Sequence, residues 1–172
     1  MAYNVVELRA VAAKDVDSYN RVAKFATTDL PNGSIVTLGT KNTDGTWVVT
    51  APAADTTLGV YMVASPAVVH TSKTSGGSAD PRDFTNKKTE PLDTFKPQIG
   101  DIIGMTGEGI AGIATASNTH LNVAAGSTTL EVGTSAGTGF SMKKVGTDVL
   151  KVGDGSLVPS VVTTYVFEVV NN

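Results

Sequence analysis

The side chains best suited to chemistry in this chain are two histidines, His70 and His120, in a sequence of 172 residues without cysteine. A histidine serves as a base or a metal ligand when a second ligand or a carboxylate completes the site. Neither histidine has a second histidine or a cysteine at metal-site spacing, and the nearby carboxylates form no recognisable motif. We therefore expect both histidines to be surface or rim residues, and we predict no enzymatic activity, no catalytic residues, no metal and no cofactor.

A glycine-rich motif follows a predicted strand. Residues 107–112 read Gly-Glu-Gly-Ile-Ala-Gly and match the G-x-G-x-x-G spacing of dinucleotide-binding loops. Those loops bind a pyrophosphate because their glycines open a helix whose N-terminus faces it. Residues 113–118 contain β-branched and capping residues without an apolar helical stripe. We therefore predict a glycine-rich turn.

Two other motifs are also explained by turns. Asp101 and Asp154 stand beside glycines, and the repeated acidic positions of a calcium-binding loop are missing. Asn32-Gly33-Ser34 matches the glycosylation sequon, but Pro31 and the Asn-Gly pair also favour a tight turn. We treat Asn32 as a structural residue.

Charge and hydropathy limit the classes of partner. The chain has 13 Lys and Arg against 16 Asp and Glu, a net charge of −3, and no face-sized basic run. We therefore expect no nucleic-acid partner. No basic n-region precedes an apolar h-region, and no apolar stretch reaches the roughly 20 residues that a membrane span requires. We expect a soluble protein with no membrane partner and no Sec signal peptide.

Turn signals and alternating side chains predict β structure through most of the chain. Residues 31–34 form a predicted turn before a strand at 35–38, and Asp44-Gly45 predicts a hairpin to the strand Trp47–Thr50. Further predicted strands lie within residues 58–63, 97–105, 129–132, 140–145 and 163–170. Seven or eight short strands with turns between them indicate a mainly β fold, an antiparallel sandwich or barrel.

Two segments interrupt this pattern. Residues 1–20 are predicted to be an N-terminal arm before a single β-rich domain at 21–172, with a short helix within residues 5–25 as an alternative. Residues 70–96 are aperiodic and too long for an ordinary connection. Their second half contains Phe84 and other large apolar residues, which disordered linkers avoid. We predict a long central loop that binds a partner and is ordered when docked.

Arginine and aromatic residues are enriched in the buried centres of protein interfaces. On this basis the candidate interface residues are Asp80, Arg82, Asp83, Phe84, Phe95 and Trp47. Two alternatives remain open. Arg82 could pair with Asp80 or Asp83 in a self-satisfied loop, and Trp47 could belong to the core, since it lies within a strand.

The same segment carries a family resemblance. The stretch Ser78-Ala-Asp-Pro-Arg-Asp-Phe-Thr-Asn, followed by Phe95-Lys-Pro-Gln-Ile-Gly-Asp-Ile-Ile, resembles the small head decoration or head-fibre proteins of tailed bacteriophages. The strands Gly-Ser-Ile-Val-Thr-Leu-Gly and Ala-Asp-Thr-Thr-Leu-Gly-Val-Tyr are also similar. The resemblance covers residues 20–105 and the final strand, and none of its motifs is catalytic.

The resemblance implies a virion structural protein on the outside of the capsid, made in the host cytoplasm. It implies binding to the major capsid protein, stabilisation of the head, and a homo-oligomer, with a trimer favoured. Two alternatives are a tail, neck or baseplate component, and an adhesion module that binds a cell-surface glycan. The glycan alternative requires an exposed Trp47 or Tyr61 flanked by polar groups.

Overall fold

The computed structural model describes residues 3–66, 81–110, 113, 119–152 and 160–172. His70, Asp80 and Asp154 lie outside these residues, as do Gly112 and Ala111 of the glycine-rich motif. The described part of the chain is mainly β, as the sequence predicts, and forms a six-stranded sheet and a closed five-stranded barrel. No helix in this part is long and apolar enough to cross a bilayer.

The described residues contain eleven strands, more than the seven or eight expected from the sequence. In chain order they are β1 (Val6–Ala10), β2 (Asn20–Lys24), β3 (Ile35–Lys41), β4 (Trp47–Thr50), β5 (Tyr61–Val63), β6 (Pro91–Phe95), β7 (Ile102–Thr106), β8 (His120–Asn122), β9 (Glu131–Gly133), β10 (Ser141–Val152) and β11 (Ser160–Asn171). The four strands that the sequence did not predict are β1, β2, β6 and β8. Each has five residues or fewer, and none combines clean alternation with a strong turn signal.

The six-stranded sheet is antiparallel throughout, in the order β1-β7-β11-β10-β8-β9. Its centre is the long hairpin of β10 and β11, in which Met142 lies opposite Val169. Phe167 of β11 lies opposite Ile103 of β7, and both side chains are fully buried. One face of the sheet therefore supplies much of the core.

The barrel has the order β2-β4-β3-β5-β6 and closes through the pairing of β6 with β2. Strands β3 and β4 form the predicted antiparallel hairpin. In its turn, Gly45 has a φ of +88°, and Asp44 Oδ1 accepts hydrogen bonds from the backbone and hydroxyl of Thr46. Strands β2 and β4 pair in parallel over only two residue pairs, which completes the barrel.

The core consists of two clusters separated by the barrel wall. Ile35 and Met62 face the six-stranded sheet, whereas the next residues along their strands, Val36 and Val63, face the barrel interior. Strands β3 and β5 lie between the two clusters, so they need apolar residues on both faces. The predicted strand at 58–63 begins only at Tyr61, because the positive φ of Gly59, +69°, interrupts the extended backbone. Leu58 therefore lies outside the strand, and its side chain is 51% exposed.

The N-terminal segment forms β1, two 3-10 turns (Ala12–Lys14 and Asp17–Tyr19) and β2 rather than a short α-helix. Strand β1 is paired with β7 at one edge of the six-stranded sheet. Asp101 Oδ1 accepts a hydrogen bond of 2.9 Å from the Ala12 backbone, which anchors the first turn to the body. The Lys14 ammonium donates to the Leu8 carbonyl, and a lysine at this position covers an otherwise open strand edge.

Candidate partner-binding site

A pair of buried asparagines holds residues 81–90 against the barrel. Asn86 donates from its amide nitrogen to the Leu30 carbonyl at 2.9 Å and to Asn32 Oδ1 at 3.1 Å. Asn32 in turn donates to the Ser65 carbonyl at 2.9 Å and accepts from the Ser65 backbone at 3.0 Å. Buried amides with satisfied hydrogen bonds are rigid connectors. The network supports the structural role predicted for Asn32, which is only 6% exposed.

An ion pair anchors the end of the same segment. The Lys87 ammonium lies 2.8 Å from Asp29 Oδ2, and the Lys88 backbone donates to Asp29 Oδ1 at 2.9 Å. The hydrogen bond from Lys87, followed by the one from the Lys88 backbone, lowers the pKa of Asp29 below its ordinary value. The charge of Lys87 is therefore already matched within the chain.

The structure gives Arg82 a partner that the sequence did not indicate. Its guanidinium lies 3.5 Å from the Glu108 carboxylate, and its carbonyl accepts a hydrogen bond of 2.6 Å from the Tyr3 backbone. Glu108 belongs to the 3-10 turn Gly107–Gly109, directly after β7. Arg82 therefore connects the central loop to the turn that follows β7 of the six-stranded sheet. This contact favours a structural role of Arg82 within the chain.

The other candidate interface residues do not form one surface. Asp83 is exposed and Phe84 is half-buried beside it, so these two lie together at the surface. Trp47 is half-buried on β4 and packs against the barrel core, in line with the core alternative. Phe95 is 2% exposed and packs in the core between barrel and sheet, because only the end of β6, at Thr94 and Phe95, is covered on both faces. Its side chain is not available to a partner in this structure.

The segment predicted as a long loop up to residue 96 contains regular structure. Residues 81–83 form a 3-10 turn, Asn86 bridges to Leu30, and β6 occupies Pro91–Phe95. The sequence analysis predicted an ordered segment from its large apolar residues. Two of these residues, Leu92 and Phe95, are core residues on opposite faces of β6. The exposed part suited to binding is therefore residues 83–90 and the outer face of β6.

A surface groove of about 600 Å³ lies beside this segment. Its lining includes Phe84, Thr85, Pro66, Glu90 and Asp93. The hydroxyl oxygen of Thr85 is buried and has no hydrogen-bond partner among the described residues. Two adjoining depressions of about 340 and 240 Å³ share Pro66 with this groove. We call the three together the Pro66 groove.

The charge lining the main depression is negative. Asp83, Glu90 and Asp93 contribute three carboxylates, and none of them has an ion pair with another described residue. Among the described residues that line it, Lys87 is the one cation, and it is paired with Asp29. Glu90 and Asp93 were missed in the sequence analysis because nothing local shows that they line the same groove as Ser65 and Pro66, far away in the chain.

The remaining motifs have structural roles where the structure describes them. His120 is half-buried, and its Nδ1 lies 2.9 Å from the Thr119 hydroxyl. Within the described ranges, no three His, Cys, Asp or Glu residues cluster as a metal site would need. The start of the glycine-rich motif is a 3-10 turn, where a dinucleotide loop would open a helix. Asp101 accepts from the Gln98 backbone at 2.8 Å and so closes the predicted turn.

Comparison with protein-family models finds no family that matches this chain, and comparison with curated proteins and with solved structures finds no match in either. Function is therefore inferred from the residues and the geometry described above.

Proposed function

We propose that this protein is a virion structural protein that binds the outside of a bacteriophage capsid as a decoration or head-fibre protein, through the face formed by residues 83–93. The family resemblance of the central segment to phage head proteins supports the capsid as partner. The observation that carries the proposal is the Pro66 groove, which lies beside the surface segment fixed by Asn32 and Asn86. Binding through a fixed segment loses less conformational entropy than binding through a free one.

This arrangement suits a structural partner. Recognition loops presented by a rigid β scaffold are a common solution for protein binding. A standard interface of about 1,600 Å² per site is enough for specific attachment. When many copies occupy one lattice, or when the protein is itself an oligomer, modest individual affinities multiply into strong retention. Stabilisation of a capsid under internal pressure requires only such contacts and no catalytic group.

The glycan alternative receives less support from the geometry. It requires an exposed aromatic side chain that can stack on a sugar. Trp47 and Tyr61 are both half-buried and pack against the barrel core. We therefore prefer the capsid to a cell-surface glycan as partner. The alternative of a tail, neck or baseplate component makes a different prediction, because such a component is missing from tailless heads.

The test is a binding assay with heads of the encoding phage that lack this protein. Purified full-length protein is incubated with expanded empty heads, the heads are sedimented, and bound copies are counted per major capsid subunit. We expect saturation at a simple lattice ratio. Absence of binding to heads, together with binding to isolated tails, would overturn the proposal in favour of a tail component.

A pair of variants tests the assignment of the face. Phe84→Ala removes a half-buried aromatic side chain beside the Pro66 groove and should reduce head occupancy at a fixed protein concentration. Leu58→Ala removes an apolar side chain that is 51% exposed and does not line this groove, and it should leave occupancy unchanged. Equal occupancy for Phe84→Ala and the unmodified protein would show that the contact lies elsewhere.

A further inference from the structure

We infer that Asn32-Gly33 is a latent deamidation site, which the folded protein protects and which opening of residues 81–90 exposes. It is the only Asn-Gly pair in the sequence. The inference goes beyond the proposed function and does not depend on it, because its readout is the covalent state of Asn32.

The reaction needs only the chain itself and water. The backbone nitrogen of Gly33 attacks Cγ of the Asn32 side chain, a C–N bond forms, and the side-chain NH2 group leaves as ammonia with the proton of that nitrogen. Water then opens the cyclic succinimide to aspartate or to isoaspartate. Asparagine is a thermolabile residue, and a following glycine favours ring closure because it has no side chain to obstruct the attack.

Three hydrogen bonds fix the Asn32 side chain in the folded protein. Its Nδ2 donates to the Ser65 carbonyl at 2.9 Å, and its Oδ1 accepts from the Ser65 backbone at 3.0 Å and from Asn86 Nδ2 at 3.1 Å. The residue is also buried. Ring closure makes Cγ tetrahedral and expels Nδ2, so it must break these hydrogen bonds in a site where water does not replace them.

The attacking nitrogen is held as well. The Gly33 N–H donates to the Val63 carbonyl at 2.8 Å. A Cβ on Gly33 would lie 2.5 Å from Asn4 Nδ2 and 2.7 Å from Met105 Cε, so the turn is closely packed. Packed interiors resist small displacements. The turn therefore has little room to bring the Gly33 nitrogen onto Cγ of Asn32.

Residues 81–90 control this protection, because Asn86 is part of it. The Asn86 side chain donates to Asn32 Oδ1 and to the Leu30 carbonyl, and its backbone pairs with that of Leu30. When this segment separates from the barrel, Asn32 loses one of the two donors to its Oδ1 and the side that contacts Asn86 becomes open to water. The rate of deamidation therefore follows the population of this open state.

The reaction product does not restore the network. An aspartate at position 32 has no N–H to donate to the Ser65 carbonyl, and a carboxylate oxygen faces that carbonyl instead. Burial of this charge without a cation costs free energy. An isoaspartate also lengthens the backbone by one carbon directly before Gly33. Because ammonia is lost, residues 81–90 stay loosened, and deamidation acts as a one-way switch.

The experiment measures the deamidated fraction of Asn32 by peptide mass spectrometry while the full-length protein is incubated at neutral pH. The test variant is Asn86→Ala, which removes one donor to Asn32. The control is Val169→Ala, which shortens a fully buried side chain in the core between barrel and sheet and lowers global stability outside this network. Thermal unfolding verifies that both variants fold, and the unmodified protein in urea gives the unprotected rate.

We expect the folded unmodified protein to deamidate at least about a hundredfold more slowly than the protein in urea, since the protected state must open first. Asn86→Ala should accelerate deamidation about tenfold. Val169→Ala should change the rate by less than about twofold, because a distant site does not couple to the network. Equal acceleration in both variants would show that only global unfolding exposes Asn32, and it would overturn the inference.

A second measurement tests the one-way switch. Asn32→Asp reproduces one product of the reaction, and Asn42→Asp adds the same charge in the turn between β3 and β4. Hydrogen exchange at residues 84–90 should become faster in Asn32→Asp and stay unchanged in Asn42→Asp. Unchanged exchange in Asn32→Asp would show that the product keeps the segment in place, and the switch would be refuted.

Discussion

Replacing Gly33 with alanine should destabilise the protein much more than replacing Gly45 with alanine, although the two glycines have nearly the same positive φ. Their φ angles are +85° and +88°, in the region that side-chain-bearing residues rarely adopt. The backbone cost of an alanine there is about 1–2 kcal/mol. The two positions differ in their surroundings, so the pair separates backbone strain from packing.

The surroundings set the expected magnitude. A Cβ at Gly33 would lie 2.5 Å from Asn4 Nδ2, 2.7 Å from Met105 Cε and 3.2 Å from Val6 Cγ2, all inside van der Waals contact. A Cβ at Gly45 meets no atom within 4 Å. Inserting a group into a packed site costs about 1–3 kcal/mol. We therefore expect about 2–5 kcal/mol for Gly33→Ala and about 1–2 kcal/mol for Gly45→Ala.

The assay is urea unfolding followed by the fluorescence of Trp47, the single tryptophan, which packs against the barrel core. Both variants should keep the slope of the unmodified protein, so the difference in their midpoints reports the difference in stability. Equal midpoints for the two variants would refute the reasoning, because they would mean that the ends of the Asn4 and Met105 side chains make room for a methyl group at little cost.

Two further predictions concern the segment that carries the proposed site. Asn86→Ala removes the side-chain amide that donates to the Leu30 carbonyl and to Asn32 Oδ1. We therefore expect the free energy of unfolding to fall by about 1–3 kcal/mol and hydrogen exchange at residues 84–90 to become faster. The control Lys88→Ala, in the same segment, should change neither the stability nor the exchange. Lys87→Met should raise the pKa of Asp29 toward its ordinary value, as measured by carboxyl NMR titration. Because that pKa is lowered in the folded state, the ion pair stabilises the protein at neutral pH. The contribution is lost as the pH falls from about 4 through the lowered pKa, and an unchanged titration in the variant would contradict the assignment.

Much of the β structure could be predicted from short stretches of sequence. The hairpin around Asp44-Gly45 was confirmed, because a turn with positive φ and two β-branched strands is specified by neighbouring residues. The final strand was likewise recognised from alternation alone, although it extends to Ser160–Asn171. Strand β6 was missed because it begins with Pro91 and because its two apolar core residues, Leu92 and Phe95, lie on opposite faces, so its sequence shows no clean alternation.

The candidate site was predictable only in part. Asp83 and Phe84 were identified from their residue types and do lie together beside the groove. Phe95, chosen by the same criterion, is buried in the core, because residue type does not distinguish an apolar anchor from an apolar core residue. Glu90 and Asp93 were not chosen, since only the tertiary structure brings them into one groove with Pro66.

The sequence by itself determined the structural class and the principal hairpin of this protein, because turn chemistry and side-chain alternation act over a few residues. Only the tertiary structure decided the closure of the barrel through β2, and the convergence of Ser65, Pro66 and residues 83–93 on one groove. Both depend on contacts between distant segments, such as Asn32 with Asn86, which are separated by 54 positions. Such contacts form when a shared core brings the segments together, and local patterns do not specify them.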